Sequence, residues 1–486
     1  MIKHQRPGIL LLALALCLCL ALPGFASAES TAAEQTAEFE EALRLAQAGD
    51  VAAMRYVAQC YFEGDEVEGD SEKSFEWFTK AEEAGSTNVQ YYLGVMCEAG
   101  LGTAQDYAKA MAWYLKAAEL GYTDAMVCIG NLYRNGLGVQ ADLDTAIEWY
   151  KKCSATGNVY GSNTLANLYL DREEPDYQEG VKWLKVAAEQ GGTYAMTALG
   201  YDYAQGLGVE QNDAQALQWY LMAAQEDDTD GMQGAASLYG KQDSSVYNPE
   251  LSVEWMTKAA EAGNAAAMNQ MGYYYEYGLC VAEDQVKATE WYRKGAEAGD
   301  AAAMNNLCIR YLCGRGVACD ADEALRWGSA ALENGMVSAL SAVADCYIRL
   351  ADYAKAFAFY KESLDAGDDY ALAGVGECYY YGYGVEQDYV KAVEYFRQGV
   401  EKDVLYACTC LGVCYLEGNG VEQDDAKAAE LFARAADGSD VDGIYRLAQC
   451  YEQGRGVEMN PATAQYWYNL ALEKGGEEVQ GWMAGN

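Results

Sequence analysis

Acid, base and nucleophilic catalysis need side chains that change charge near neutral pH, and this chain is poor in them. Its only histidine is His4. Beyond that residue there is no Ser-His-Asp or Cys-His set and no histidine-ligated zinc. Ser-x-x-Lys, Gly-x-Ser-x-Gly and a phosphate loop ending in Gly-Lys-Ser/Thr are all missing from the sequence. Carboxylates remain. With 74 acidic residues against 33 basic ones and a formal charge of −41, some pair of acids will stand at a glycosidase-like separation by number alone. The string Glu226-Asp227-Asp228-Thr229-Asp230-Gly231 has the start of a calcium loop, but Ser237 stands where a bidentate glutamate belongs. The expectation is a chain with no catalytic residues, no cofactor and no metal. Its charge opposes binding to nucleic acid or to an anionic membrane surface.

Cysteine is the other reactive residue. Sixteen are present, two of them, Cys17 and Cys19, inside an apolar N-terminal run. Cys60, Cys346, Cys378, Cys414 and Cys450 fall at one repeated position. Equivalent atoms of packed helical repeats lie about 8–10 Å apart, whereas a disulfide needs Cα atoms within about 7 Å. That column therefore reads as small half-buried side chains. Cys280, Cys313 and Cys319, in the loops of adjacent repeats, are the expected place for a bridge.

What positions all these residues is a repeat. The frame Leu93-Gly94-x-x-Cys97-x-x-Gly100-x-Gly102 returns at Ile129, Leu165, Leu199, Ala235, Met271, Leu307, Val343, Val375, Leu411 and Leu447, and earlier at Val57. These are twelve frames, spaced by 36 residues except for 34 after Leu165 and 32 after Val343. The fifth position is tyrosine in all but the second. Within a frame, Ala125, Ile129 and Tyr133 recur every four residues and share one helical face. Gly130 beside Ile129 admits a close helix, and Gly136-Leu137-Gly138 is a turn. A second helix then starts at Asp or Asn in every frame, at Asp70, Asp106, Asp142, Asp176, Asn212, Asn248, Asp284, Asp320, Asp352, Asp388, Asp424 and Asn460. Such residues accept from free N–H groups of the first turn, so their recurrence is a matter of capping rather than catalysis. The second helix is expected to stop at glycine, from Gly85 through to Gly475. Two frames, with Asp171-Arg172-Glu173-Glu174-Pro175 and Ile348-Arg349-Leu350-Ala351, lack the glycine turn.

Leu199-Gly200-x-x-Tyr203-x-x-Gly206-x-Gly208-Val209, followed by Ala216, Trp219-Tyr220 and Ala223-Ala224, resembles the Sel1-like repeat, a relative of the tetratricopeptide repeat. The resemblance recurs over nearly the whole chain beyond residue 50. It implies an all-α, right-handed α/α superhelical solenoid of about twelve helix-turn-helix repeats that binds proteins or peptides. Bacterial members of the family are typically scaffolds or adaptors, many of them exported. A cysteine-rich subset is associated with penicillin binding and β-lactamase activity and spaces its cysteines eight apart. Here Cys153 has Gly161 where that partner would stand.

The segments divide as follows. Residues 1–28 read as a signal peptide: Lys3, His4 and Arg6 precede the apolar run Ile9 to Leu22, and Ala26-Ser27-Ala28 offers a cleavage site after Ala28. The run is shorter than the roughly 20 residues of a membrane span, so the expected location is periplasmic or secreted, with no stable membrane insertion after cleavage. Residues 29–49 form a capping helix, 50–476 the repeats and 477–486 a short C-terminal cap. Frame positions −1, 3, 6 and 7 lie opposite the buried face, which in related superhelices lines the concave groove. They carry Asn163, Asn269 and Asn305, then Asn131, Asn167, Tyr201 and Tyr273, then Glu276, Tyr277, Tyr380 and Tyr381. Asparagine offers a donor and an acceptor to an extended backbone, and tyrosine adds rigid area with a polar tip. The expected function is a non-catalytic exported scaffold or adaptor holding a protein or peptide there. The alternatives are a cell-envelope hydrolase acting on β-lactams or peptidoglycan, and a periplasmic signalling regulator.

Overall fold

The computed structural model describes residues 32–64 and 66–484. The expected signal peptide and its cleavage site lie outside the described residues. Twenty-five α-helices, one 3-10 turn and no strand occur among the described residues. A leading helix, Ala32–Gln47, is followed by twelve helix pairs, A and B, one for each sequence frame. The chain forms two compact units, divided after Trp219.

Repeat 7 shows why a frame folds as it does. Its A helix, Ala265–Tyr277, starts at Asn264, which accepts from the Ala267 N–H. It ends at Gly278 in the left-handed region, φ 65°. The B helix, Gln285–Glu297, starts at Asp284, whose carboxylate accepts from Lys287 N–H at 3.0 Å. The Asp284 amide in turn donates to the Tyr275 carbonyl at 2.8 Å. This second bond, from the cap residue back to the fifth frame position, is made in all twelve repeats, whatever the loop between them. One aspartate or asparagine thus starts the B helix with its side chain and closes the turn with its backbone.

Two glycine positions carry the packing. A Cβ on Gly272, at the second frame position, would lie 2.6 Å from the Tyr292 ring, which crosses the A helix there. The same lock holds Tyr114 over Gly94 and Phe396 over Gly376. The second loop glycine seats one repeat on the previous one: a Cβ on Gly316 would stand 2.0 Å from the Gln285 carbonyl oxygen, and one on Gly102 1.9 Å from that of Ser71. Both loop glycines have positive φ, so alanine would be strained as well as blocked.

Several expectations are corrected. The last B helix does not stop at Gly475. It runs from Pro461 to Ala484 without a break, and Val479 beyond the glycine is fully buried on the last core, beside Val441. Burial of that valine outweighs the stop signal, so no separate capping helix begins at Glu477. The sixth repeat also lacks the glycine turn: its A helix ends at Lys241 in extended conformation. No disulfide links any of the fourteen cysteines of the described residues. The bridge expected among Cys280, Cys313 and Cys319 is not made, because Cys280 takes a left-handed conformation, φ 62°, and packs into the core around Met256 and Met271. The repeated cysteine column is buried rather than half-buried, with no member more than 6% exposed. In the calcium-like string Asp228 caps the next helix, and Asp230 accepts from Asn264.

Candidate functional site

The face opposite the core is uneven, and two stretches of the second unit stand out. The first spans repeats 7 and 8. Tyr273 and Tyr277, one turn apart on the A helix of repeat 7, lean together with ring centroids 4.6 Å apart and remain exposed, at 42% and 58%. Beside them Asn306 donates to Asn269 Oδ1 at 2.9 Å. Asn305 Oδ1 is enclosed with no protein donor. This surface presents amide and phenol groups on a rigid two-helix base, with little charge.

The same repeats draw one expected groove residue inward. Glu276 accepts from Arg310 Nη1 at 3.1 Å and from the Tyr292 hydroxyl at 2.6 Å. Arg310 is 1% exposed and also donates to Gln285 Oε1 at 2.6 Å and to Thr289 Oγ1 at 3.2 Å. Burial pulls its guanidinium below the ordinary arginine range while the Glu276 charge opposes that shift. The network pins repeat 8 to repeat 7, and Glu276 belongs to it rather than to a binding face.

The second stretch spans repeats 10 to 12. Glu377, Tyr381, Tyr406, Thr409, Cys410, Asp442 and Arg446 line a cavity of about 50 Å³, room for only a few waters or one small group. Tyr406 donates to Glu377 Oε1 at 2.7 Å, and Arg446 Nε donates to Asp442 Oδ1 at 3.1 Å. Burial lifts the Glu377 carboxyl to about 7, with the Tyr406 bond opposing and the charges of Asp345 and Asp442 adding to the rise. Asp345, bonded to the Tyr360 hydroxyl, stays open to solvent at its edge. Even so, the protein crowded around its carboxyl lifts it to about 6. Burial also pushes the Cys410 thiol far above its usual range. A glutamic acid near 7 can give and take protons at neutral pH, whereas a thiol raised in this way is no nucleophile. The cavity suits hydrogen-bond donors.

The other expected residues separate clearly. Tyr201 and Tyr381 are exposed, at 43% and 54%. Tyr380 is buried and donates to Glu417, so it does not belong to the open face. Asn131 accepts from the Tyr150 hydroxyl at 2.8 Å and Asn167 from Tyr194 at 3.0 Å, both spent within the fold. Asn163 Oδ1 is enclosed with no protein donor. Asp345 and Glu377 were missed, although they occupy the third frame position, the column that carries Asn131, Asn167, Tyr201 and Tyr273. Reading that column for carboxylates would have found them.

Stacked helix pairs with an outward face of side chains define a helical-repeat solenoid. The Sel1 repeat family matches twelve segments, from 51–86 to 441–476, one for each helix pair. The chain belongs to the Sel1 repeat family. No curated protein matches the sequence as a relative. The crystal structure of c5321, a protective antigen present in uropathogenic Escherichia coli strains displaying an SLR fold, is 30% identical. Its TM-score is 0.57, over 92% of this chain and 97% of that one. A Sel1 repeat protein from Oxalobacter formigenes is 25% identical, with a TM-score of 0.52, over 66% of this chain and 96% of that one.

Proposed function

We propose that this chain is an exported, non-catalytic scaffold that holds a protein or peptide segment on the A-helix face of its repeats, centred on repeats 7 and 8. One observation carries this reading. Tyr273 and Tyr277 stand exposed as a pair beside Asn269, Asn305 and Asn306, on helices fixed from behind by the Glu276–Arg310 network. Exposed aromatics on a rigid base bind with little entropic loss. Amide side chains such as that of Asn306 can serve an extended backbone as donor and acceptor. The negative charge of the chain favours a partner segment without acidic runs. Export draws support from the N-terminal segment, and from c5321: a protective antigen has to be reached by antibodies.

The test replaces Asn269, Tyr273 and Asn305 by alanine together. Partners cross-linked to the wild-type chain in its own cells are expected to be lost from the triple variant while its helix content stays unchanged. Equal affinity of an isolated partner for both chains would overturn the site. N-terminal sequencing of the protein recovered from the periplasm or medium is expected to begin at Glu29. The hydrolase reading has one observation in its favour, the Glu377 carboxyl near 7. Turnover of nitrocefin or a peptidoglycan fragment that disappears in Glu377→Gln would establish it.

A further inference from the structure

The ring-over-glycine lock is inverted in one place. Eight residues beyond the B-helix cap stands a large side chain in every repeat but one, among them Tyr114, Tyr150, Tyr292, Phe396 and Phe432. In repeat 8 that position is Gly328, and the second frame position, glycine or alanine in every other frame, is Cys308. A Cβ on Gly328 would meet Cys308 Sγ at 3.0 Å and Val343 Cγ2 at 2.8 Å. The volume of the missing ring is therefore filled from both sides, by the sulfur of Cys308 and by the A helix of repeat 9. That second helix, Leu340–Arg349, carries Cys346 at its fourth frame position. The two sulfurs are 3.8 Å apart, and both residues are fully buried.

Equivalent positions of neighbouring repeats are too far apart for a bridge, but these are not equivalent positions. The second position of one repeat faces the fourth position of the next. Where cysteine recurs at the fourth position, at Cys378, Cys414 and Cys450, the facing residue is Ala344, Gly376 or Gly412. Only between repeats 8 and 9 does a sulfur face a sulfur.

We propose that Cys308 and Cys346 are a disulfide-forming pair that ties repeat 9 covalently to repeat 8, in the space left by the missing ring. The oxidant is a small or protein disulfide. One cysteine, as thiolate, attacks a sulfur of that disulfide and releases the first oxidant thiol. The second cysteine then attacks the mixed disulfide and releases the other. The pair gives up two protons and two electrons, and the oxidant disulfide is reduced to two thiols. The sulfurs need only close from 3.8 Å to about 2.05 Å. In the closed fold both sulfurs are enclosed, and the neighbouring Cys346 thiol, with burial, raises the Cys308 thiol far above its usual range, so the bond forms while the two repeats are still assembling. The bond ties in repeat 9, whose loop between its two helices lacks the glycine seat and is the shortest of the twelve such loops. The pairing chemistry is independent of the partner site. Export supplies the oxidising compartment, but the reaction can be tested without it.

The whole chain is reduced, unfolded and refolded in a mixture of oxidised and reduced glutathione, then alkylated and digested without reductant. Cys308 and Cys346 are expected in one cross-linked peptide, 2 Da lighter than the sum of its two thiol peptides. Thermal unfolding of the refolded chain is expected to fall by several degrees on reduction, a shift that vanishes in Cys308→Ser. Recovery of Cys308 as an alkylated peptide, or bridged to any cysteine other than Cys346, overturns the proposal. The wild-type digest decides this whether or not the variant folds.

Discussion

Repeats 2 and 7 are built on the same tyrosine–glutamate bond and solve its electrostatics in opposite ways. In both, the ring eight residues past the B-helix cap donates to a glutamate at the sixth frame position: Tyr114 to Glu98 and Tyr292 to Glu276, each at 2.6 Å. In both the acid is largely shielded from water. In the repeat after Glu98 the fourth frame position is Leu132, buried in one core with Tyr114, and burial raises the Glu98 carboxyl, the tyrosine bond only partly opposing. Behind Glu276 the same frame position is Arg310. One repeat leaves its enclosed acid to the tyrosine bond alone, and the other adds a counterion. The lesson is that a repeat's electrostatics depend on a residue contributed by its neighbour, which the frame of the repeat itself does not contain.

The comparison breaks hardest at Glu276→Gln. Arg310 would be left charged, buried and without its carboxylate, at a cost of about 3–5 kcal/mol, measured as a fall in the denaturant midpoint of the second unit. Arg310→Leu turns repeat 7 into a copy of repeat 2. Its expected cost is smaller, about 1–3 kcal/mol, because Glu276 keeps the Tyr292 hydroxyl bond and is less enclosed than Arg310; the same denaturant midpoint should fall by less. Tyr114→Phe and Tyr292→Phe each remove one bond to a carboxylate and should cost about 1–3 kcal/mol, less where Arg310 remains.

Glu98→Gln sharpens the contrast with the smallest effect and the opposite sign. A carboxyl raised in the fold binds its proton more tightly folded than unfolded. Its contribution is therefore fully present below the ordinary value of 4.5 and is lost as the pH rises through the raised one. The glutamine variant should lose less stability than wild type between pH 4.5 and 8. The same sign holds for Asp345, raised to about 6, and Glu377, raised to about 7. The capping aspartates run the other way. Asp106 and Asp284 are lowered by the backbone N–H groups they accept from, and their contribution disappears on acidification. Equilibrium unfolding across pH 3–8 should therefore show an optimum on the acid side of neutrality.

The helices, their caps and the turn glycines were legible in the sequence because each is decided within one frame. All twelve cap residues do what their spacing implied. What could not be read was decided between frames. Glu276 has the right position for the open face, yet Arg310, thirty-four residues on, pulls it inside. Tyr380 is taken in the same way by Glu417. Gly475 carries a stop signal that is overruled by Val479, whose burial depends on a helix from the preceding half of that repeat. Tyr273, Tyr277 and Tyr381, read for the same face, do stay exposed. A column-by-column reading, with the second position of one repeat set against the fourth of the next, would have paired Cys308 with Cys346.

The seating of each loop glycine on the carbonyl of the previous copy constrains how such a gene can change length. A residue added to or removed from that loop would unseat two copies at once, whereas duplication of a whole copy preserves every seat. Both shortened copies in this chain, the fourth at 34 residues and the ninth at 32, have no glycine at that seat. In this chain a change of copy length coincides with the absence of that loop contact.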